Sequence, residues 1–114
     1  MKKTILIVDD YQDIADSIST FLKKEGYGIE TFYTGRGAIR RSQSKNPDLL
    51  ILDIAMPGFN GFEVARALPN QKIIFMTAYD FKEEDAKEFK NCVGLIEKPV
   101  DLEKLLSLVK KALK

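Results

Sequence analysis

The sequence predicts an α/β fold, in which a five-stranded parallel sheet carries helices on both faces. Short apolar runs rich in β-branched residues, at 5–8, 49–52 and 73–76, have the length and composition of strands buried on both faces. Helical patterns separate the strands, so that a strand is followed by a helix five times, a (βα)5 unit. Right-handed crossovers then require helices on both sides of the sheet, and the 114 residues form one doubly wound domain, residues 1–114.

Periodicity defines the individual elements, and helix breakers and capping residues bound them. Gly26 and Pro69 end the first and third helices, and Gly37 weakens the second. Asp101 is a suitable N-cap for the last helix. In chain order, the predicted strands are residues 4–8, 28–32, 49–52, 72–76 and 93–96. The predicted helices are residues 13–25, 36–44, 62–68, 81–90 and 101–113.

The composition narrows the class of protein. With 45% hydrophobic and 31% charged residues, the chain is typical of a globular domain. A net charge of +1 gives no electrostatic reason to expect direct nucleic-acid or membrane binding. The chain has no histidine, which excludes histidine-based catalysis and most zinc sites. A single cysteine, Cys92, excludes an internal disulfide and fits a reducing compartment, so we expect a cytoplasmic protein.

Polar side chains follow four of the predicted strands, at the point where each strand ends. Asp9 and Asp10 follow the first strand, Asp53 the third, Thr77 the fourth and Lys98 the fifth. In open α/β sheets, ligands bind outside the carboxyl ends of the strands. The first strand lies centrally, because the chain connections leave it in opposite directions. The sequence therefore predicts a crevice bordered by the three aspartates.

The residue types at this edge indicate phosphoryl chemistry. Three carboxylates in one crevice cannot all stay ionised without a cation. A hard divalent ion such as Mg2+, one lysine and an oxygen-rich ligand such as phosphate would balance them. Asp53 ends the most apolar run and could attack phosphorus to form an acyl phosphate. Each residue taken singly also fits a structural role, as a turn aspartate, a helix N-terminal acid or a surface lysine, so the interpretation depends on the ordered set.

Several motifs occur in a fixed order along the chain: ILIVDD at 5–10, PDLLILD at 47–53, MPG at 56–58, glycine at 61, MTA at 76–78 and KP at 98–99. Together they resemble the receiver domain of response regulators in two-component signalling. The resemblance covers the whole chain and implies a flavodoxin-like fold with strand order 2-1-3-4-5.

The resemblance also implies roles for the residues around the phosphorylation site. Asp53 would be the phosphoacceptor, Thr77 would hydrogen-bond the phosphoryl group, and Lys98 would form an ion pair with it. A cis peptide bond is implied between Lys98 and Pro99, and X–Pro bonds are those that reach the cis form at small cost. The implied cofactor is Mg2+, held by Asp10 directly, by Asp9 mainly through water, by Asp53, and by the backbone carbonyl of Ala55.

The partners implied by the resemblance are a histidine kinase or a histidine phosphotransfer protein, from which the domain takes its phosphoryl group. The lack of histidine fits an acceptor rather than a donor. A downstream protein would bind the face formed by the fourth helix, the fifth strand and the fifth helix. The domain would catalyse only its own phosphorylation and dephosphorylation, and it would be either a stand-alone receiver or one cut from a longer regulator.

A few positions depart from the usual receiver pattern. Leu95 stands where receivers usually carry a Tyr or Phe that reports the phosphorylated state, so the sequence does not predict the usual aromatic switch there. The stretch between Asp53 and Thr77 is short, which predicts a clipped third helix. Ala55 and Tyr79 occupy the positions that tune the access of water to the phosphoryl group. Ala55 cannot hold a water and Tyr79 is bulky, so the sequence predicts slow hydrolysis.

Two other functions are compatible with parts of the pattern. A haloacid-dehalogenase-like phosphatase also uses an aspartate at a strand end, but it needs a second acid two residues later, where this chain has Ala55. A pseudo-receiver, which binds proteins without phosphorylation, has the same fold, but the intact acid set argues against it.

Overall fold

The computed structural model of the protein describes residues 2–78 and 86–114. Within them, strands and helices alternate up to the fourth strand as the sequence predicts, and the fifth strand precedes the last helix. The strands are β1 (Thr4–Val8), β2 (Gly28–Phe32), β3 (Leu49–Asp53), β4 (Ile73–Thr77) and β5 (Cys92–Glu97). The helices are α1 (Gln12–Lys24), α2 (Gly35–Ser44), α3 (Gly61–Ala67) and α4 (Leu102–Ala112).

The five strands form one sheet in the order β2-β1-β3-β4-β5, and every neighbouring pair is parallel. This is the predicted order, with β1 between β2 and β3, so the chain crosses over in opposite directions from β1. The predicted α/β class and doubly wound arrangement are therefore confirmed. The carboxyl ends of β1 and β3 lie side by side, since Val8 pairs with Leu52.

Two apolar layers, one on each face of the sheet, form the core. Side chains alternate along a strand, and in β1 the residues Ile5 and Ile7 face one layer while Leu6 and Val8 face the other. The first layer packs against α1 and α4, and the second packs against α2 and α3. All residues of β3 and β4 are buried, as expected for central parallel strands with helices on both sides.

The observed helices differ from the predicted ones mainly at their ends. α3 has seven residues, as the short stretch predicts, and it begins at a capping box in which Asn60 and Glu63 satisfy each other's backbone N–H groups. Asp101 caps α4 as predicted, since its side chain accepts from the N–H groups of Glu103 and Lys104. Such caps satisfy backbone donors that a helix start otherwise leaves unpaired.

The helix predicted at 81–90 lies largely outside the described residues, and its described part differs from the prediction. Ala86 is helical, but residues 87–90 form a turn and irregular structure. The physical reason is the side chain of Phe89, which is buried and stacks on Phe62 with ring centroids 5.3 Å apart. The apolar spacing that predicted a longer helix therefore reflects this aromatic contact.

None of the helices in the described ranges is both long and apolar enough to cross a membrane.

Candidate functional site

The sheet brings the polar strand-end residues to one edge. Asp53 and Thr77 are the last residues of β3 and β4, while Asp9 and Lys98 directly follow β1 and β5. A backbone hydrogen bond fixes the relative positions of two of them, because the N–H of Lys98 donates to the carbonyl of Thr77 at 2.7 Å. Asp9, Asp53 and Thr77 are nearly inaccessible to solvent, although all three are polar.

The three predicted carboxylates form a compact acidic cluster, composed of Asp9, Asp10 and Asp53. Each contributes an oxygen, and these oxygens lie within 4.8 Å of one another. One oxygen of Asp10, Oδ1, is buried and has no hydrogen-bond partner among the described residues. A buried carboxylate oxygen without a partner is unfavourable, so the cluster is suited to receiving a cation.

Lys98 supplies positive charge to this cluster. Its Nζ lies 2.8 Å from Oδ2 of Asp9 and 3.3 Å from Oδ2 of Asp53, and its side chain is only 11% exposed. Burial alone would lower the pKa of Lys98, but the two carboxylates raise it above its usual value. The lysine is therefore held in its charged form between two of the three acids.

The Asp53 carboxyl group is strongly perturbed. Burial and the nearby charge of Asp9 raise its pKa to about 6, although Lys98 and the N–H of Ala55 act in the opposite direction. The Ala55 N–H donates to Oδ1 of Asp53 at 3.3 Å. At neutral pH most Asp53 carboxyl groups are ionised and can act as a nucleophile. Burying this charge is unfavourable, and a nearby cation would offset that desolvation penalty.

The donor set fits Mg2+. Mg2+ prefers oxygen ligands, keeps several waters, and uses one or two carboxylates together with ligand oxygens. The acidic cluster offers such oxygens, and a cation would give a partner to Oδ1 of Asp10, which has none within residues 2–78 and 86–114. Ala55 is exposed to solvent and lies two residues after Asp53 in the chain. A role for its backbone carbonyl as a ligand remains a prediction.

The loop after β3 is fixed close to the site by a glycine. The N–H of Gly61 donates to the carbonyl of Ile54 at 2.8 Å. A Cβ at this glycine would lie 2.7 Å from the carbonyl oxygen of Asp53 and from Cα of Ile54. Only a residue without a side chain allows α3 to begin this close to the phosphoacceptor candidate.

The remaining predicted residues lie in different places. The peptide bond between Lys98 and Pro99 is cis. Leu95 is half-buried on β5 and packs against the core layer shared with α2 and α3. Tyr79 lies outside the described residues.

One residue at the site escaped the sequence-based reasoning. The N–H of Tyr11 donates to Oδ1 of Asp9 at 2.9 Å, and the Tyr11 ring lies beside Lys98, with Nζ 5.6 Å from the ring centroid. The available signal was its residue type: a tyrosine directly before a helix takes the place of the small polar residue that helix starts favour.

Comparison with known proteins finds relatives that match most of the chain. A family model for the response regulator receiver domain matches residues 5–110. The chain is 34% identical over 99 residues to the alkaline phosphatase synthesis transcriptional regulatory protein PhoP of Bacillus subtilis (strain 168), an alignment that covers 83% of this chain and 39% of PhoP. It is 35% identical over 81 residues to the transcriptional regulatory protein CreB of Escherichia coli (strain K12), covering 68% of this chain and 35% of CreB. The chain therefore spans less than two fifths of the length of these curated relatives.

Solved structures show the same similarity over nearly the full chain. The response regulator TrrA from Thermotoga maritima, in complex with Mg2+ and BeF, is 37% identical with a TM-score of 0.87, covering 96% of this chain and 98% of that one. A CheY-like receiver domain protein from Methanospirillum hungatei JF-1 is 31% identical with a TM-score of 0.90, covering 99% of this chain and 94% of that one.

Proposed function

The chain belongs to the response regulator receiver domains, and on that premise we propose that residues 1–114 are a phosphorylation-dependent switch whose phosphoacceptor is Asp53. The donor is the phosphohistidine of a histidine kinase or of a histidine phosphotransfer protein. The observation that carries the proposal is the position of Asp53, which is buried at a strand end beside two further aspartates and one lysine.

The proposed reaction is an in-line displacement at phosphorus. A carboxylate oxygen of Asp53 forms a bond to phosphorus while the bond between phosphorus and the histidine nitrogen of the donor breaks, and the electron pair leaves with the imidazole. The product is an acyl phosphate on Asp53. Such transfers need positioning and neutralisation of charge more than covalent help.

The residues of this chain supply both the positioning and the neutralisation of charge. The N–H of Ala55 holds Oδ1 of Asp53 and thereby orients the carboxylate. Lys98, already 3.3 Å from Oδ2, would neutralise the incoming phosphoryl group, and Thr77 at the end of β4 would hydrogen-bond it. Mg2+, held by the acidic cluster and the Ala55 carbonyl, would supply the additional positive charge that the phosphoryl oxygens require.

Phosphorylation would change the surface formed by β5, α4 and residues 86–91, and a downstream protein would bind there. The curated relatives are named transcriptional regulators, so a DNA-binding output located elsewhere in a longer protein is one outcome of this switch. The domain itself, with a net charge of +1, is expected to bind neither nucleic acid nor membrane. We propose that it acts in the cytoplasm and on no external substrate.

Intact-mass measurement after incubation with acetyl phosphate and Mg2+ tests the proposal. We expect the wild type to gain the mass of one phosphoryl group and Asp53→Asn to gain none. Asp13→Asn, which changes an exposed aspartate in the first turn of α1, should label like the wild type. An Asp53→Asn protein that labels to the same yield would refute the assignment.

A pseudo-receiver and a phosphatase predict different results. Titration with beryllofluoride, an analogue of the phosphoryl group, should shift the NMR signals of Thr77 and Lys98 only if the site binds a phosphoryl group. A pseudo-receiver would give no shift. A haloacid-dehalogenase-like phosphatase would hydrolyse an added phosphomonoester with turnover, which a receiver does not.

A further inference from the structure

Tyr11 is a large aromatic residue at a position where a helix start favours a small polar one. It is the N-cap of α1, where Ser, Thr, Asp and Asn are preferred because their side chains accept backbone N–H groups. The Tyr11 side chain makes no such bond, and it is 64% exposed. Neither helix capping nor core packing therefore explains a tyrosine here.

The Tyr11 ring makes its contact with a charge instead. Nζ of Lys98 lies 5.6 Å from the ring centroid, within the range of about 6 Å over which an ammonium is attracted to an aromatic face. The Tyr11 hydroxyl has no hydrogen bond to any residue in the described ranges. Within these ranges, Tyr11 therefore contacts Lys98 through the face of its ring and not through its hydroxyl group.

Asp9 joins these two residues into one unit. Its Oδ1 accepts the backbone N–H of Tyr11 at 2.9 Å, and its Oδ2 lies 2.8 Å from Nζ of Lys98. A single carboxylate thus contacts both the backbone of Tyr11 and the ammonium of Lys98. The Lys98 ammonium therefore lies against Asp9, Asp53 and the ring, and the lysine side chain is only 11% exposed.

We propose that Tyr11 is a positioning residue for Lys98: its ring face holds the ammonium between Asp9 and Asp53 and shields it from water. A lysine side chain has four flexible bonds and otherwise samples many rotamers. An ammonium that is already in place neutralises charge at Asp53 without a separate ordering step. The consequence for phosphorylation rests on the proposed function, whereas the positioning of Lys98 does not.

NMR of the free protein, without Mg2+ or phosphodonor, tests the positioning. Tyr11→Phe keeps the aromatic face and removes only the hydroxyl, while Tyr11→Leu keeps an apolar side chain and removes the face. Tyr33→Leu is the matched control, because Tyr33 is also partly exposed but bonds Asp16 through its hydroxyl. We expect the same result in the wild-type protein and in the Tyr11→Phe and Tyr33→Leu variants. The ring current should shift the side-chain protons of Lys98, and its ammonium protons should exchange slowly with water.

In Tyr11→Leu, that shift should disappear and the ammonium protons should exchange about two- to fivefold faster. Lys98 signals that are the same in Tyr11→Leu and in the wild type would overturn the proposal. The same would follow if Tyr11→Phe behaved like Tyr11→Leu, because the ring face would then not be the feature in use.

Phosphorylation rates with acetyl phosphate at saturating Mg2+ complete the test. Tyr11→Leu should be about two- to fivefold slower than the wild type, and Tyr11→Phe and Tyr33→Leu should match it. If Lys98 changes in the NMR spectra but no variant, including the wild type, is phosphorylated, the proposed function fails and the positioning of Lys98 stands. If Lys98 changes and the rates stay equal, Tyr11 holds the lysine without assisting the transfer, and that part of the proposal is overturned.

Discussion

Gly61 faces the carbonyl oxygen of Asp53 so closely that a Cβ on the glycine would lie 2.7 Å from that oxygen. The start of α3 and the end of β3 are thus in backbone contact, and the loop between them, which includes Ala55, is held next to the acidic cluster. The glycine links the packing of a short helix to the geometry of Asp53, the proposed phosphoacceptor.

Gly61→Ala should destabilise the protein by about 1–3 kcal/mol, because the new methyl group must displace backbone atoms rather than a flexible side chain. Urea unfolding measures the change. Gly28→Ala is the matched control, since the nearest atom to a Cβ there is an ordinary 3.6 Å away, and its midpoint should stay close to that of the wild type. Equal midpoints for the two variants would contradict the close contact at Gly61.

Asp10→Ala should weaken Mg2+ binding and, in the metal-free protein, raise the free energy of unfolding by about 1 kcal/mol. The reason for the gain is the buried Oδ1 of Asp10, which lacks a hydrogen-bond partner among the described residues and lies close to two other carboxylates. Calorimetric titration measures the binding, and urea unfolding in EDTA measures the stability. A lower unfolding midpoint in EDTA, or an unchanged Mg2+ titration, would count against this role of Asp10.

The perturbed Asp53 carboxyl group makes stability depend on pH in the metal-free protein. Its pKa is about 6 in the folded state, against a usual value of 3.8. Between these values the folded state retains a proton that the unfolded state has released, so the contribution of Asp53 to stability falls as the pH rises from about 4 to about 6 and then levels off. Two pKa units correspond to about 3 kcal/mol.

Asp53→Asn should lack this component. The difference between the unfolding free energies of the wild type and Asp53→Asn, measured in EDTA from pH 4.5 to pH 7.5, isolates it from the other carboxyl groups. We expect the free energy of unfolding of Asp53→Asn to increase relative to that of the wild type as the pH rises. A difference that stays constant over this range would show that the pKa of Asp53 is not raised.

Ala55→Asn should shorten the lifetime of the phosphoryl group, and combination with Tyr79→Glu should shorten it further. An asparagine two residues after Asp53 can orient a water for attack, which the exposed methyl group of Ala55 cannot do. Decay is followed after removal of the phosphodonor at constant Mg2+. Ala55→Leu is the control, because leucine is similar in size to asparagine but has no polar side-chain atoms. This variant should not accelerate the loss of the phosphoryl group. Equal or slower decay in the Asn variant would show that positioning of water here does not limit hydrolysis.

The apolar strands and the residues that follow them were predictable because burial on both faces leaves a local signal in the chain. The runs that became β1, β3 and β4 consist almost wholly of aliphatic and aromatic residues, and this follows from helices covering the sheet on both sides. The handedness of crossovers required helices on both faces of the sheet, and the resemblance to receiver domains implied the full strand order. The meeting of Asp9, Asp10 and Asp53 followed from the rule that parallel strands end at one edge.

The sequence by itself therefore determined the α/β class and the identity of the clustered acids, since both depend on local periodicity and on general rules of chain topology. Its motifs determined the strand order through their resemblance to receiver domains. Only the tertiary structure decided how those residues act on one another. Three effects arise between residues of different elements: the perturbed pKa of Asp53, the Tyr11 ring beside Lys98, and the contact of Gly61 with Asp53. The break after Ala86, where Phe89 turns inward onto Phe62, belongs to the same class. Distances of a few ångströms between separate elements set these effects, and no local pattern of residues encodes such distances.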